Sequence, residues 1–464
     1  MRYEGDLRDF GTSLGGRMIL PDDECYDATR KVWNLSIDRR PAVIVQCKGV
    51  ADVIRAVRFA RQHDLRIAVR GGGHNVAGNA VCDDGLVVDL RNMNAVSVDP
   101  ARLVVRAEGG CTIRDVDRET QMFGLAVPLG VVSETGIGGL TLSGGHSWLT
   151  RLHGFACDNL LSVDLVTADG ELITAYLDSY PELFWALKGG GGNFGIAVSF
   201  AFRAHEIGRT VTLCAPFYPI EESARVLSAW RDRVETAPEA FTASCFFWTV
   251  PAHESFPAEV HGREIVVPAG VYTGPEDEAM RFIQPLRELA VPLLDLTGPI
   301  PYEALQQAFD PHFSSASSRH NYWKSLYLDG LSDDAVARIA AWAMNRPSPE
   351  TFVPVRQMGG AGARLPEGGS ALGGRGASFM LSIDTSWTAP GEGDAASTWT
   401  RDFWSEMAEG QDGAAYLNFL AAEEDHEALM RTSFGASAYD RLRRVKRQYD
   451  PDNVFSLNQN IPPW

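Results

Sequence analysis

Histidine follows a run of glycines at two places in the first third of the chain, and a third glycine cluster comes later. His74 ends the run 71–73, His146 ends the stretch 136–145, and the third cluster spans 189–195. A neutral imidazole nitrogen can act as a nucleophile near neutral pH. Glycine lets the backbone approach a ligand closely and presents N–H groups to anions. One such loop alone would be interpreted as a tight turn, but three favour a site that wraps a pyrophosphate and a flat ring.

Other patterns that use glycine fit these loops poorly. Residues 190–195 match GxGxxG, but a helix-like segment from Pro181 precedes them and a strand follows, which reverses the Rossmann order. No GxxxxGK[ST] sequence occurs, so a P-loop is excluded. Gly11-Thr-Ser13-Leu-Gly15 matches GxSxG, but it lacks the preceding strand and the following helix of a nucleophile elbow, so we interpret it as a chance match.

Strands and helices that would position these loops can be recognised from hydrophobic periodicity. A strand and then a helix are predicted over 42–60, and short strands over 65–70, 85–90, 103–107, 160–167 and 196–202. The sequence pattern changes after about Arg203. Predicted helices over 223–236 and 276–290 alternate there with predicted strands such as 264–272. This change indicates a second domain. A final helix over 439–448 precedes a proline-containing tail that we expect to be irregular.

Composition excludes several classes of protein. The 464 residues are enough for two or three domains, and 45% hydrophobic and 22% charged residues are typical of a globular protein. The formal net charge of −18 disfavours nucleic acid as a partner. The seven cysteines form no CxxC pair, so we expect no metal site. Neither a secretory signal nor an apolar run of about 20 residues is visible, so we expect a cytoplasmic protein without membrane contact.

Five segments carry a resemblance to a known family. They are Val69-Arg-Gly-Gly-Gly-His74-Asn75, the run from Pro128 to Arg151, the pair Asp158-Asn159, the run from Phe184 to Gly195, and Tyr449-Asp-Pro-Asp-Asn-Val-Phe-Ser-Leu-Asn-Gln-Asn-Ile-Pro-Pro. In this order they resemble the FAD loops and the C-terminal signature of the berberine bridge enzyme-like oxidases, which belong to the vanillyl-alcohol oxidase superfamily. The resemblance runs from about residue 20 to the end. Within the family, the chain is similar to bacterial members with a singly linked flavin.

The resemblance implies an α+β fold in which both chain ends build a PCMH-type FAD-binding domain. An antiparallel sheet covered by helices would form an inserted substrate domain. We therefore expect the FAD-binding domain over 1–205, the substrate-binding domain over 206–410 and a return to the FAD-binding domain over 411–464. The residues implied in FAD binding are Arg70, Gly71, Gly72, Gly73, His74, Asn75, Gly78, Val132, Ser133, Thr135, Gly136, Gly139, Gly144, Gly145, His146, Asp158, Asn159, Gly195, Ile196, Asn458 and Gln459.

In family terms His74 is the residue joined to the flavin 8α-methyl group. Members with two covalent links place a cysteine in the second loop, where this chain has Val132, so the resemblance implies a single link. Thr135 occupies a position close to the reactive edge of the flavin, where its hydroxyl could donate a hydrogen bond. A plain loop threonine is an equal interpretation of that residue.

The resemblance also locates candidates for the base that removes a substrate proton. Tyr416-Leu-Asn418-Phe419 resembles the family's Tyr-x-Asn-Tyr motif, with Phe419 replacing the second tyrosine. If this segment is a strand, Tyr416 and Asn418 share a face. The second family position falls on Ser382, where many members carry a carboxylate or an amide. Asp384 shares its strand face and could take that role, so the identity of the base stays open.

Three further positions bear on the substrate pocket. Tyr322 and Lys324 alternate onto one strand face, and either could line the pocket or serve in packing. Gly374 stands where related sequences often have histidine, which predicts a roomier pocket.

The sequence thus predicts an oxidase that passes a hydride from a small alcohol, amine or activated C–H substrate to covalently bound FAD and then electrons to molecular oxygen. A natural-product intermediate is the preferred substrate, and an amine remains open. There are two alternatives. One is a dehydrogenase with another electron acceptor, and the other is a flavin-fold protein that binds or sequesters a drug.

Overall fold

The structure, a computed structural model, describes residues 4–422 and 426–464. Within them the chain folds into four β-sheets with helices packed against them, and this confirms the predicted α+β class. The helices before residue 210 are Glu4–Ser13, Tyr26–Arg30, Val50–Gln62, Ile113–Thr120, Ile137–Leu142, Thr150–His153 and Pro181–Leu187. The later helices are Ser223–Val234, Glu276–Arg287, Tyr302–Gln306, Asp310–Phe313, Asp333–Met344, Gly393–Ala408, His426–Phe434 and Ala436–Tyr449.

Four strands form the first sheet, which carries the His74 loop. In spatial order they are Arg17–Ile19, Val43–Gln46, Leu86–Asp89 and Ile67–Arg70. The last three run parallel, because the helix Val50–Gln62 crosses back over the sheet between two of them. That helix buries Val53, Ala56 and Val57 against the sheet. The loop with His74 therefore starts at the carboxyl end of a buried strand.

The second sheet has five antiparallel strands and lies beside the second and third glycine clusters. Its strands, in spatial order, are Val96–Asp99, Val104–Glu108, Ile196–Arg203, Leu160–Val166 and Leu172–Ala175. The pair Leu125–Ala126 and His205–Glu206 forms a separate two-stranded ribbon. The third glycine cluster lies between the helix Pro181–Leu187 and the strand Ile196–Arg203, which is the order that argued against a Rossmann site.

The largest sheet has nine antiparallel strands, and we call it the large sheet. Seven follow in the spatial order Leu294–Asp295, Pro216–Pro219, Glu264–Tyr272, Phe241–Thr249, Val353–Gln357, Phe379–Trp387 and His320–Leu328. The strand Thr210–Cys214 pairs with Glu264–Tyr272 and with Gly298–Pro301. Side chains alternate along these strands. Phe247, Leu381 and Ile383 pack under the helices, whereas Phe246 and Trp323 belong to an aromatic cluster on the opposite face.

The C-terminal helix Ala436–Tyr449 returns to the third glycine cluster. Arg441 forms hydrogen bonds of 2.7 and 2.8 Å with Glu182, and its guanidinium lies 3.8 Å from the centre of the Trp185 ring. The buried Lys446 ammonium donates to the Asn193 carbonyl oxygen at 2.8 Å. Through these contacts the C-terminal helix packs against the first 200 residues of the chain.

None of the helices in the described part of the chain is both long enough and apolar enough to cross a membrane.

Candidate active site

One cavity receives all three glycine-rich loops and the face of the large sheet that is not covered by helices. The predicted site residues that line it are Gly71, Gly72, Gly73, His74, Asn75, Val132, Thr135, Gly136, Gly139, His146, Gly195, Ile196, Tyr416, Asn418, Asp384, Asn458 and Gln459. The strands of the large sheet contribute Phe246, Trp323 and Arg356. The structure thus brings together residues that are more than 300 positions apart in the sequence.

The first two glycine loops touch through their backbones at the cavity wall. A Cβ atom on Gly72 would lie 2.3 Å from the backbone nitrogen of Gly136, and one on Gly136 would lie 2.1 Å from the backbone nitrogen of Gly72. Neither position can accept a side chain without moving the other loop. The two loops therefore form a continuous surface of backbone along the cavity.

Several polar atoms around the cavity are buried and have no hydrogen-bond partner among the described residues. They are Nε2 of His74, Nε2 of His146, Nη1 of Arg356, Oδ1 of Asn458 and Nε2 of Gln459. Buried polar groups are normally paired, so a cluster of unpaired ones around one cavity indicates a polar ligand. The unpaired atoms of His74, Asn458 and Gln459, together with the glycine surface, fit a large, polar, flat cofactor such as FAD.

The His74 ring is held between the cavity and a tryptophan. Trp33 stacks on it with ring centroids 5.0 Å apart and ring planes 16° apart. Burial lowers the pKa of His74 to about 4, although the Asp310 carboxylate opposes this shift. The imidazole is therefore neutral at neutral pH and keeps a nitrogen lone pair.

The second loop is anchored by Asp310, the first residue of the helix Asp310–Phe313. Its carboxylate accepts from the backbone N–H of Ser133 at 2.9 Å and from the Ser133 hydroxyl at 2.5 Å. Arg114 donates to the same carboxylate at 3.0 Å. Ser133 therefore anchors the loop rather than lining the cavity, whereas its neighbours Val132 and Thr135 do line it.

Tyr416 joins the second glycine loop, through its hydroxyl, to the large sheet, through its backbone. The hydroxyl accepts hydrogen bonds from the backbone N–H groups of Gly145 at 2.8 Å and His146 at 3.0 Å, and from Nδ2 of Asn418 at 3.0 Å. On the other side, the Ser325 hydroxyl bonds to both the backbone nitrogen and the carbonyl oxygen of Tyr416. Burial raises the pKa of Tyr416 to about 12, although the three donors act in the opposite direction.

The segment with Tyr416 and Asn418 is not a strand, so the shared strand face does not apply. Tyr416 precedes a single turn of 3₁₀ helix, Leu417–Phe419, instead. The turn brings the Asn418 amide back to the Tyr416 hydroxyl and places the Phe419 ring 5.0 Å from the Tyr416 ring, centroid to centroid. The two side chains therefore meet, but through a turn.

Asp384 and Ser382 lie on the cavity-facing side of one strand of the large sheet. Both are buried, and the Ser382 hydroxyl donates to the Asp384 carboxylate. Asp384 lines the cavity, whereas Ser382 does not, because the strand pairs it with Ser325 beneath the Tyr416 backbone. Burial raises the pKa of Asp384 to about 6, against the opposing effects of Arg356 and of the Ser382 hydrogen bond.

Arg356 is a cavity residue that the sequence analysis missed. It is 8% exposed, and its Nη2 lies 3.9 Å from an Asp384 carboxylate oxygen. Its guanidinium lies 4.6 Å from the centre of the Phe419 ring. The one signal available in the sequence is a charge inside the otherwise apolar stretch Val353-Pro-Val-Arg-Gln.

Tyr322 and Lys324 do not line the cavity. The Lys324 ammonium lies 4.4 Å from the centre of the Trp404 ring, and the Arg401 guanidinium lies 5.7 Å from the centre of the Tyr322 ring. Both partners belong to the helix Gly393–Ala408, so Tyr322 and Lys324 face the helices. The residue between them, Trp323, lines the cavity instead.

Other residues predicted to bind the cofactor do not line the cavity but pack against the loops that do. Arg70 is buried near Asp89, and Gly78 packs against Ile37. Gly144 lies against the Tyr416 ring, and Gly145 reaches the site through its N–H group.

The pair Asp158 and Asn159 also lies outside the cavity lining. Asp158 is paired with Arg375, and Asn159 donates to the carbonyl oxygens of His153 at 3.0 Å and Phe155 at 2.9 Å. These two residues hold the turn after the second loop.

The predicted roomier pocket at Gly374 is not found. Gly374 is outside the cavity lining, and its φ of +72° lies in the left-handed region that favours glycine. A Cβ atom there would lie 2.1 Å from the Tyr327 ring. Glycine is required by the backbone and by Tyr327, not by a ligand.

Family models match two parts of the chain. The model described as an FAD binding domain matches residues 41–176, and the model described as berberine and berberine like matches residues 415–462. The first contains the His74 loop and the second loop, and the second contains Tyr416 and the C-terminal signature.

Curated relatives match almost the whole chain. An FAD-linked oxidoreductase of Bacillus subtilis is 30% identical over 457 residues, covering 97% of this chain and 98% of its own. The (R)-6-hydroxynicotine oxidase of Paenarthrobacter nicotinovorans is 30% identical over 473 residues, covering 97% of each chain.

Solved structures have the same fold. The 6-hydroxy-D-nicotine oxidase of Arthrobacter nicotinovorans superimposes with a TM-score of 0.86 at 28% identity, covering 97% of this chain and 99% of that one. A berberine bridge enzyme-like protein of Physcomitrella patens gives a TM-score of 0.86 at 21% identity, covering 98% and 99%.

Proposed function

Because the chain belongs to the berberine bridge enzyme-like family of FAD-linked oxidoreductases, we propose that it is an oxidase with FAD joined covalently to His74. It takes a hydride and a proton from a small alcohol, amine or activated C–H substrate, and molecular oxygen accepts the electrons. The observation that carries this proposal is that His74 and the glycine surface line the same cavity as Asp384 and Tyr416.

The cofactor would be held by the glycine surface, by His74 and by the unpaired side-chain atoms of Asn458 and Gln459. When bound, FAD supplies the acceptor for the substrate hydride and a route for two electrons to oxygen. We assign residues 1–205 and 411–464 to this cofactor side and 206–410 to the substrate side.

The His74 link is supported by the charge state and position of the ring. A nitrogen must be unprotonated to bond to the cofactor, and a pKa of about 4 meets that condition at neutral pH. The stacked Trp33 limits rotation of the imidazole. Val132 cannot form a thioether, so a single link is proposed.

Asp384 is a better candidate than Tyr416 for the base that takes the substrate proton. A general base works best when its pKa is near the operating pH, so that it is mainly unprotonated yet still accepts a proton. The pKa of about 6 for Asp384 meets this condition, whereas the pKa of about 12 for Tyr416 keeps the phenol protonated. Ser382 orients the Asp384 carboxylate through its hydroxyl.

Tyr416 then acts as a hydrogen-bond donor rather than as a base. Its oxygen is fixed by the N–H groups of Gly145 and His146 and by the Asn418 amide. None of these three groups accepts the phenol proton, so it is available to an acceptor in the cavity. Thr135, which also lines the cavity, is a second candidate donor.

A natural-product intermediate is the proposed substrate, and the relative named as a 6-hydroxynicotine oxidase keeps a cyclic amine open. The test is to purify the protein, record its visible spectrum and add candidate substrates without oxygen. Bleaching of the flavin absorbance followed by recovery and hydrogen peroxide on admitting air supports an oxidase. Bleaching that persists in air contradicts oxygen as the acceptor, and a protein that takes up no flavin contradicts the proposal as a whole.

A further inference from the structure

The part of the cavity that lies against the large sheet has aromatic walls. The ring centroids of Phe246 and Phe352 are 5.1 Å apart, those of Phe309 and Phe352 are 5.6 Å apart, and those of Phe313 and Trp323 are 5.7 Å apart. All five residues line the cavity. Such walls are suited to a flat ring, since aromatic pairs gain energy beyond simple burial of area.

Three of the buried polar atoms left unpaired at these walls are N–H donors. Nη1 of Arg356, Nε1 of Trp323 and Nε1 of Trp148 are buried and have no hydrogen-bond partner within the described ranges. The Asp384 carboxylate, in contrast, already accepts the Ser382 hydroxyl and faces Nη2 of Arg356. This part of the cavity therefore needs a ligand that brings acceptors.

From these contacts we propose that Arg356 is a substrate-binding residue, and that it holds an oxyanion, a carboxylate or a phenolate, carried by an aromatic substrate. The inference rests on the proposed function, because it names the substrate class of the same site. One side of the guanidinium faces Asp384, and Nη1 is the side left for the ligand.

A purely structural pairing with Asp384 does not account for Arg356. The 3.9 Å separation is longer than a hydrogen bond, and the pairing leaves Nη1 buried without a partner. A buried donor without a partner is unfavourable, and more so when it is charged. The Phe419 ring against the guanidinium keeps it in position before any ligand arrives. The arrangement is that of a preformed site for an anionic oxygen.

Binding of small aromatic probes tests this without knowledge of the substrate. Benzoate, its neutral isostere benzamide, and 4-nitrophenol at a pH at which it is ionised are titrated into the purified holoenzyme by calorimetry. The variants are Arg356→Met, Arg356→Lys and the control Arg364→Gln, which alters an exposed arginine paired with Glu239. Flavin absorbance and thermal unfolding of every variant are recorded first, so that loss of cofactor or of fold is seen separately.

We expect wild type and Arg364→Gln to bind benzoate more tightly than benzamide, and Arg356→Met to lose about ten- to a hundredfold in benzoate affinity. Arg356→Lys should restore part of that loss, because it keeps the charge but not the planar fork. A preference for 4-nitrophenolate over benzoate would identify phenolate as the natural group. Equal binding of benzoate and benzamide by wild type, or unchanged benzoate affinity in both Arg356 variants, overturns the inference. A protein without flavin that still shows the Arg356-dependent preference would overturn the proposed oxidase function but not the oxyanion site.

Discussion

Trp33 stacks on His74, and the same indole also contacts Phe313 and Trp323, which line the cavity. Its N–H donates to the Phe313 carbonyl oxygen at 2.7 Å, and the Trp323 ring meets its edge at a centroid distance of 5.2 Å. The histidine proposed to carry the flavin is therefore oriented by a residue whose own position depends on Phe313 and Trp323.

Replacing Trp33 tests this relationship. Trp33→Leu removes the stacking ring and should lower the fraction of protein with covalent flavin, together with about 0.5–1.5 kcal/mol of stability from the lost aromatic contact. Trp33→Phe retains a ring and should retain most of the link. Flavin fluorescence of the denatured protein band measures the covalent fraction. Full incorporation in Trp33→Leu would show that stacking does not prepare His74.

The pH dependence of turnover tests Asp384 as the base. A base acts only when unprotonated, so kcat/KM should fall as the pH drops through about 6, the pKa that burial gives to this carboxyl. Asp384→Asn should lower kcat/KM by about a hundred- to ten-thousandfold and abolish this acid limb.

The matched control is Asp333→Asn, which alters an exposed carboxylate paired with Arg231. It should leave the profile unchanged. An Asp384→Asn enzyme with the wild-type profile would assign the acid limb to another group.

Ser382 should act on catalysis through Asp384. Its hydroxyl donates to the Asp384 carboxylate and so favours the ionised form. In Ser382→Ala the acid limb should move to higher pH by up to about one pH unit, with kcat at high pH little changed. Removal of a merely structural hydroxyl would lower stability without moving the limb. Thermal unfolding measured beside the pH profile separates the two cases.

Tyr416→Phe should separate a hydrogen-bond donor from a base. The change leaves the N–H groups of Gly145 and His146 without their acceptor, which should cost about 1–3 kcal/mol in the free energy of unfolding. Turnover should fall, but the acid limb near pH 6 should remain, because the Tyr416 phenol stays protonated there. Tyr176→Phe, at an exposed position, is the control. Disappearance of the limb in Tyr416→Phe would make Tyr416 the base.

Elements with a clear local pattern were predictable from the sequence. The helices Val50–Gln62 and Ser223–Val234 and the strand Glu264–Tyr272 are found within a few residues of their predicted bounds. Their apolar spacing is a local property, and packing against a sheet or a helix follows from it. The glycine loops were predictable for a similar reason, since their sequences are long and specific.

The cavity-facing residues of the large sheet were harder to predict because this sheet is buried on both faces. Nearly every residue of Phe241–Thr249 and Phe379–Trp387 is buried, one face under helices and the other around the cavity. The alternation of side chains along a strand then divides its residues into two sets, one for each face of the sheet. It does not show which set faces the cavity, because both sets are buried. Lys324 was therefore considered for the wrong face, and Arg356, whose partners come from distant segments, was not recognised.

The link between His74 and FAD is tested most directly by denaturing the purified protein in acid and asking whether flavin absorbance and fluorescence stay with the precipitate. Wild type and His74→Ala are compared with His320→Ala, which alters a histidine outside the cavity lining. Flavin retained by wild type and by His320→Ala, but released from His74→Ala, is the result that the proposed function predicts. Flavin released from denatured wild type would contradict the covalent bond at His74.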